Sequence, residues 1–219
     1  MKTNRTELVF ILDKSGSMGG LEADTIGGYN AMLARQQAEE GEARITTALF
    51  DNDYELLHDR LDIRSVAPIT EKEYVVGGST ALLDAIGRTI HKIANVQKNT
   101  SEAYRADKVL FVITTDGMEN ASREYSSAQI KGLIERQQTK FGWEFIFLGA
   151  NIDSVQVAGR FGIAASRVQN YHADREGTRL NYEVVADAVT HFRKSGALAD
   201  NWGEGIRQDY ESRGGRRVR

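Results

Sequence analysis

Short apolar runs of the length of a buried strand alternate with longer segments of helical periodicity through most of this 219-residue chain. The first run, residues 8–12, is apolar throughout, as expected of a strand that is covered on both faces. The other strand-like runs lie at residues 44–50, 54–61, 109–114, 144–148 and 168–171. The clearest helical stripe lies within residues 82–97. This alternation predicts crossover connections and a mainly parallel sheet with helices on both faces.

The expected fold is therefore a doubly wound α/β domain with one antiparallel edge strand. Residues 44–50 and 54–61 are joined by a short turn and are expected to pair as a hairpin at that edge. Other helices are expected around residues 26–33, 130–141, 154–161 and 182–192. We predict a single domain over residues 1–200 and an extension over residues 201–219. The extension ends in an Arg-rich, disordered segment whose alternative role is a weak contact with an anionic partner.

Composition excludes several classes of function. The chain has no cysteine, which rules out disulfides, thiolate nucleophiles and zinc sites built on cysteine. Its formal net charge of −3 argues against a general electrostatic nucleic-acid binder. The four histidines lack the spacing of helical metal ligands, so core or solvated positions are expected. With no apolar run long enough for a signal or membrane segment, we expect a cytoplasmic protein that does not bind a membrane.

Oxygen-bearing side chains gather where strands end and a helix begins. Asp13, Ser15 and Ser17 follow the first strand, Asp116 follows the strand at 109–114, and Thr80 precedes the helix at 82–97. In open α/β sheets, ligands bind beyond the carboxyl ends of the strands. Carboxylates and hydroxyls are hard ligands that suit Mg²⁺ or Mn²⁺, with Ca²⁺ a weaker candidate. A cation held by many neutral hydroxyls is electron-poor, so it should accept a carboxylate from outside.

Each residue of this set also has a purely structural explanation. Asp13 and the two serines are common turn residues, as is the pair Asp116-Gly117. Thr80 is a suitable N-cap for the helix that follows. Three further features have structural explanations that we favour: Glu119, Arg123 and Glu124 as a solvated face, Asn151 and Asp153 as a turn and helix cap, and Gly27-Gly28 as a close approach of helix to sheet.

The ordered set resembles the motifs of von Willebrand factor A (VWA) domains. Asp13-Lys14-Ser15-Gly16-Ser17 is similar to the family's Asp-x-Ser-x-Ser signature, and Thr80 and Asp116 match its two later metal-site elements. The resemblance spans roughly residues 5–195. Residues 115–125 and 147–151 also resemble a bacterial, stand-alone branch of the family, though more loosely.

This resemblance implies a Rossmann-like VWA fold with a metal-ion-dependent adhesion site (MIDAS). Residues matching Ser15, Ser17 and Thr80 commonly bind the metal directly in the family, whereas those matching Asp13 and Asp116 commonly act through water. The open coordination position usually accepts an Asp or Glu of a partner protein. The resemblance thus favours a non-enzymatic, metal-dependent protein-binding module.

A Mg²⁺-dependent hydrolase or phosphotransferase is the alternative function, with Asp13 as the nucleophile. Aspartyl-phosphate enzymes of the two-carboxylate type carry a second Asp two residues later, where this chain has Ser15. Nucleic-acid binding through the Arg-rich end is a weaker alternative, because a few arginines give only weak, salt-sensitive binding.

Overall fold

A six-stranded sheet with helices on both faces forms the centre of the molecule. The structure is a computed structural model that describes residues 4–215. The strands are β1 (Thr6–Asp13), β2 (Ala43–Phe50), β3 (Tyr54–Asp62), β4 (Lys108–Thr115), β5 (Glu144–Gly149) and β6 (Val168–Asn170). The helices are α1 (Glu22–Ala38), α2 (Leu82–Asn99), α3 (Ser127–Phe141), α4 (Ser154–Arg160), α5 (Arg175–Ser195) and α6 (Glu204–Ser212).

The strand order is β3-β2-β1-β4-β5-β6, and all pairs are parallel except β2 with β3. The predicted doubly wound fold with one antiparallel edge strand is therefore confirmed. Leu8 of β1 is opposite Ile45 of β2 on one side and Leu110 of β4 on the other. The sheet therefore extends from β1 to one side through β2 and β3 and to the other side through β4, β5 and β6. The strand order reverses between β1 and β4. Such a switch point is where open α/β sheets bind their ligands.

Alternate residues of the central strands face two separate apolar layers. Leu8, Phe10 and Leu12 of β1 pack with α1 and α5, whereas Val9 and Ile11 pack with α2, α3 and α4. This explains why the first strand is apolar throughout: neither face of it reaches solvent.

The sequence did not predict α6, which lies in the stretch interpreted as an extension. Trp202 and Ile206 are buried in the layer formed by α1 and α5, and the Trp202 indole nitrogen donates to the Ser166 carbonyl at 2.8 Å. Residues 201–212 therefore pack against the rest of the fold. The last four residues of the Arg-rich end, 216–219, lie outside the described residues.

Gly28 lies at the crossing of α1 and α5, which corrects the expected helix–sheet contact. An added Cβ at Gly28 would lie 2.3 Å from the Tyr182 ring of α5, whereas one at Gly27 would meet no atom within 4 Å. Packing requires a glycine only at position 28, and the element packed against Gly28 is the helix α5.

Candidate functional site

The loop after β1 turns its hydroxyls to one side. The backbone N–H of Ser15 donates to Asp13 Oδ1 at 2.7 Å, which closes a tight turn directly after the strand. The hydroxyls of Ser15 and Ser17 lie 3.1 Å apart. Asp13 is only 1% exposed and Ser15 is buried, while Ser17 is exposed. The alternating pattern therefore brings two hydroxyls side by side above a buried carboxylate.

The end of β4 brings a second carboxylate to these hydroxyls. The Ser17 hydroxyl donates to Asp116 Oδ1, and Asp116 Oδ2 is buried without any hydrogen-bond partner among the described residues. Thr115 donates its hydroxyl to Asp13 Oδ2 at 2.6 Å and so joins the ends of the two neighbouring strands. A buried carboxylate oxygen is rarely left without a partner, so Asp116 Oδ2 is available to accept a hydrogen bond from a group bound to a cation.

Thr80 is held beside this group by the loop that follows β4. Its backbone N–H donates to Asn120 Oδ1 at 2.9 Å, and its carbonyl accepts from the backbone N–H groups of Asn120 at 3.1 Å and Ala121 at 3.2 Å. A Cβ built on Gly117 would lie 3.3 Å from Ser17 Oγ and 3.5 Å from Thr80 Oγ1. The two hydroxyls thus flank a space that a glycine leaves open. All five predicted residues meet beyond the carboxyl ends of the central strands β1 and β4.

Burial dominates the electrostatics of the two carboxylates. It raises the pKa of Asp13 above its ordinary value, although the hydrogen bonds from Ser15 and Thr115 oppose the shift. It also raises the pKa of Asp116, where the Ser17 hydrogen bond opposes the shift and the charge of Asp13 adds to it. Two neighbouring carboxylates that are costly to ionise favour a positive charge placed between them.

Two acidic residues that were not assigned to the site build its frame. Asp84 of α2 accepts the backbone N–H groups of Arg123, Glu124 and Tyr125 at 2.8–3.0 Å. Glu119 accepts backbone N–H groups from Leu83, Ala121 and Ser122, and it also accepts the Ser122 hydroxyl. The expected solvated role of Glu119 is therefore wrong, because its carboxylate ties the loop after β4 to the start of α2. Glu124 does face solvent, where it pairs with Arg88.

The glycine-rich segment before Thr80 is joined to the loop after β1. Gly16 N–H donates to the Gly78 carbonyl at 3.0 Å, and Gly77 N–H donates to the Lys14 carbonyl at 2.9 Å. Gly78 has a φ of +74°, which favours glycine, and the Asn52 side chain lies against it while accepting the Ser79 N–H at 2.6 Å. These contacts set the position of Thr80 relative to the two serines.

The structure confirms the purely structural roles expected of Asp153 and His58, but not the role of Thr80 as a helix N-cap. Ala81, not Thr80, is the residue that precedes the first turn of α2. The N–H groups of Leu83 and Asp84 in that turn donate instead to Glu119 and to the Ser122 hydroxyl. Asp153 does cap α4 by accepting the Gln156 N–H at 3.0 Å, as expected. His58 is a core histidine, with its Nδ1 near the hydroxyls of Tyr29 and Thr47.

The residues present fit a hard divalent cation. The donor atoms are two carboxylates and three hydroxyls, the ligand type that Mg²⁺ and Mn²⁺ prefer. Within residues 4–215 no group of three or more His, Asp or Glu side chains converges on a metal position. A site at this edge therefore depends on its hydroxyls.

Solved structures share this fold at low sequence identity. The chain aligns with the PilB minor pilin of Streptococcus sanguinis (12% identity, TM-score 0.60), covering 88% of this chain and 63% of that one. It aligns with a von Willebrand factor type A protein of Catenulispora acidiphila (14%, 0.60), covering 85% and 43%. It also aligns with the manganese-loaded TRAP protein of Plasmodium vivax (16%, 0.56), covering 82% and 73%. The expected VWA fold is confirmed.

The sequence itself matches no protein-family model and no curated protein. The chain spans 63% and 43% of the first two solved proteins, so it corresponds to part of each. None of the helices within residues 4–215 combines the length and the apolar composition needed for a membrane crossing.

Proposed function

We propose that this chain is a non-enzymatic, divalent-metal-dependent protein-binding module. In this proposal Ser15, Ser17 and Thr80 bind the cation through their hydroxyls, and Asp13 and Asp116 hold it through water. The observation that carries the proposal is the buried, unpartnered Asp116 Oδ2 beside three converging hydroxyls. Mg²⁺ and Mn²⁺ are the proposed metals, and the manganese-loaded TRAP structure supports the choice of a divalent ion.

The partner in this proposal is a protein that presents an Asp or Glu. Three neutral hydroxyls leave most of the charge of a divalent cation uncompensated, so a carboxylate from outside is a favourable further ligand. Met118, 67% exposed, stands at the rim next to Gly117. We therefore expect the partner's carboxylate to be flanked by an apolar side chain that covers Met118.

Metal binding is the first test. Calorimetric titration of the purified chain with Mn²⁺ should show one site, and Ser17→Ala should weaken it by about tenfold or more, because one direct ligand is lost. Ser101→Ala is the matched control, since the Ser101 hydroxyl is exposed and does not cap the turn that it precedes. Equal affinity for Mn²⁺ in the wild type and Ser17→Ala contradicts the proposed ligand set.

Partner recruitment is tested separately. The chain is used to capture proteins from a lysate with Mg²⁺, with EDTA, and as Asp13→Ala with Mg²⁺. Capture of the same protein only by the metal-loaded wild type supports recruitment through the metal. Equal recovery under all three conditions contradicts it, whatever the titration shows.

The hydrolase alternative is not favoured by the position of Asp13. Both carboxylate oxygens already accept hydrogen bonds, from Ser15 and Thr115, and the side chain is buried. A nucleophile needs an oxygen free to reach the substrate. A phosphatase screen with Mg²⁺ tests this alternative, and turnover that is abolished by Asp13→Asn would restore it.

A further inference from the structure

A cavity of about 440 Å³ opens between α2 and α3, at the end of the sheet opposite the candidate metal site. It lies at the end of the sheet where β4 and β5 begin, since Ala106 and Trp143 line it just before those strands. Its volume is within the range of about 300–1,000 Å³ that is typical of small-molecule pockets. It includes none of the five candidate metal-site residues.

The floor of the cavity is apolar and aromatic. Trp143 is buried and stacks on Phe111, with ring centroids 5.5 Å apart and planes at 17°. Ile90 of α2 and Leu133 of α3 form the walls. Phe141, the last residue of α3, is 59% exposed at the mouth. The indole is therefore fixed by packing before any ligand arrives, and an exposed aromatic ring is available to cover one.

The rim of the cavity is cationic. Lys98, Arg105 and Arg136 line it, and the lining contains no Asp or Glu among the described residues. Lys98 and Arg136 form no salt bridge within residues 4–215, in contrast to Lys131 on α3, which pairs with Glu135 at 3.8 Å. Arg105 donates to the Thr100 carbonyl at 3.0 Å, which holds its guanidinium near the mouth. Three cations to which residues 4–215 supply no acidic partner attract an anion.

Two buried amides supply an independent observation. Gln97 is 8% exposed and Gln137 is 4% exposed, and both line the cavity. Gln97 Oε1 has no hydrogen-bond partner among the described residues, while its Nε2 lies 3.5 Å from Glu7 Oε2. Buried polar atoms are usually paired, so the unpaired oxygen of Gln97, a residue that lines the cavity, can accept a hydrogen bond from a ligand when the amide turns toward it. Glu7 itself lies behind Gln97 and is paired with Arg60 at 2.9 Å.

We propose that this cavity binds a small organic anion with an aromatic body. The aromatic part lies on Trp143 between α2 and α3, and its carboxylate, sulfonate or phosphate lies among Lys98, Arg105 and Arg136. A polar hydrogen on the ligand meets Gln97. The metal site and this cavity lie at opposite ends of the strands of one sheet, so both can be filled at the same time.

Anilinonaphthalene sulfonate is a suitable probe, because it joins an aromatic body, a secondary amine and one anionic group. Added to the folded wild type, it should bind with one equivalent per chain, become fluorescent and raise the thermal midpoint. Binding should weaken with added salt, since one charged group meets three cations. It should be unchanged by EDTA, which separates this site from the metal.

Two variants locate the probe. Ala94→Phe fills the half-buried mouth of the cavity without changing charge, and Arg136→Gln removes one cation. Each should weaken binding by about tenfold, through lost volume and one lost charge-assisted contact respectively. Lys131→Gln, on the same helix but outside the cavity, is the control for loss of one positive charge and should bind as the wild type does.

Thermal melts of each variant establish that it is folded before its affinity is compared. The proposal is wrong if the folded wild type does not bind the probe. It is equally wrong if both folded variants bind it as tightly as the wild type does. If one variant does not fold, the other carries the comparison with Lys131→Gln.

Discussion

Gly117 shows how one missing side chain shapes the candidate site. It follows Asp116 directly, and the space over its Cα separates the hydroxyls of Ser17 and Thr80, which arrive from two different loops. A methyl group there would be in tight contact with the first of these hydroxyls. The missing side chain at Gly117 therefore leaves the space in which a ligand can lie between the two loops.

We predict that Gly117→Ala weakens Mn²⁺ binding by about tenfold or more while the fold is kept, because the added methyl occupies the space that the cation and its water need. Calorimetric titration measures the affinity and a thermal melt without metal measures the fold. Gly132→Ala is the control, since a Cβ on that residue of α3 meets no atom within 4 Å. Unchanged affinity in Gly117→Ala would show that the cation lies elsewhere.

Glu7 is a second residue whose surroundings predict a measurable effect, in this case on how stability depends on pH. It is fully buried on β1, its Oε2 pairs with Arg60 at 2.9 Å, and its Oε1 has no partner among the described residues. Burial raises its pKa above the ordinary value of 4.5, and the hydrogen bond and charge of Arg60 only partly oppose this. Ionised Glu7 is thus less favourable in the folded chain than in the unfolded chain.

The sign of the pH effect follows from this direction. A raised folded pKa means that the contribution of Glu7 to stability is complete below the unfolded pKa and is lost as the pH rises through the folded pKa. We expect the free energy of unfolding of Glu7→Gln, relative to that of the wild type, to increase as the pH rises above the unfolded pKa of about 4.3, because glutamine does not ionise. Urea denaturation at several pH values measures the difference. A difference that is constant or falls with pH would contradict the assignment.

At the scale of elements, the crossing of α1 and α5 depends on a single glycine. Tyr182 of α5 lies where a side chain of Gly28 would be, while Gly27 has open space. We predict that Gly27→Ala stabilises the protein by about 0.5–1 kcal/mol, because alanine has the better helix propensity. Gly28→Ala should destabilise it by about 1–3 kcal/mol through overpacking.

Chemical denaturation of the two variants measures this contrast directly. They make the same chemical change at adjacent positions of one helix, so each is the control for the other. Equal effects of the two substitutions would mean that Tyr182 can move away at no cost.

Element types were predictable because the core forms two layers, one on each face of the sheet. Strands buried on both faces are apolar throughout, and helices on a sheet carry a regular stripe, as in residues 82–97. The helix α6 is amphipathic but short, with only Ile206 and Tyr210 as apolar residues, and its burial depends on Trp202 and Ile206 reaching a layer made by distant segments. Its existence follows from tertiary packing, which a local pattern does not contain.

The same limit applies to the candidate site. The order of Asp13, Thr80 and Asp116 at strand ends and a helix start predicts that they meet, and they do. Whether they bind a metal remains a prediction. Asp84 carried no comparable signal, because it binds backbone N–H groups of a segment brought near only by the fold. Glu119 binds its own neighbours Ala121 and Ser122, but its contact with Leu83 of α2 likewise depends on the fold.

At the scale of the whole molecule, the boundary between domain and extension is open to test. The sequence predicts a domain over residues 1–200, yet Trp202 and Ile206 are buried against α5 and the sheet. A chain ending at residue 200 should lose at least about 3 kcal/mol of stability, because a buried Trp and a buried Ile are removed from one layer.

Urea denaturation of this truncation is compared with that of a chain ending at residue 215, which keeps α6 complete. Equal midpoints for the two chains would restore the boundary at residue 200. A lower midpoint only in the shorter chain would extend the folded unit to the end of α6.

The strand order also bears on how the chain is made. β1 pairs with β2 and with β4, and its β4 partners lie about a hundred positions later, as in Leu8 with Leu110. During synthesis, the first half of the chain can pair β1 only on the β2 side, which leaves an apolar strand edge open until β4 emerges from the ribosome. Open edges of this kind attract other strands. We therefore expect nascent chains stalled before residue 108 to aggregate and those released after β5 to stay dispersed.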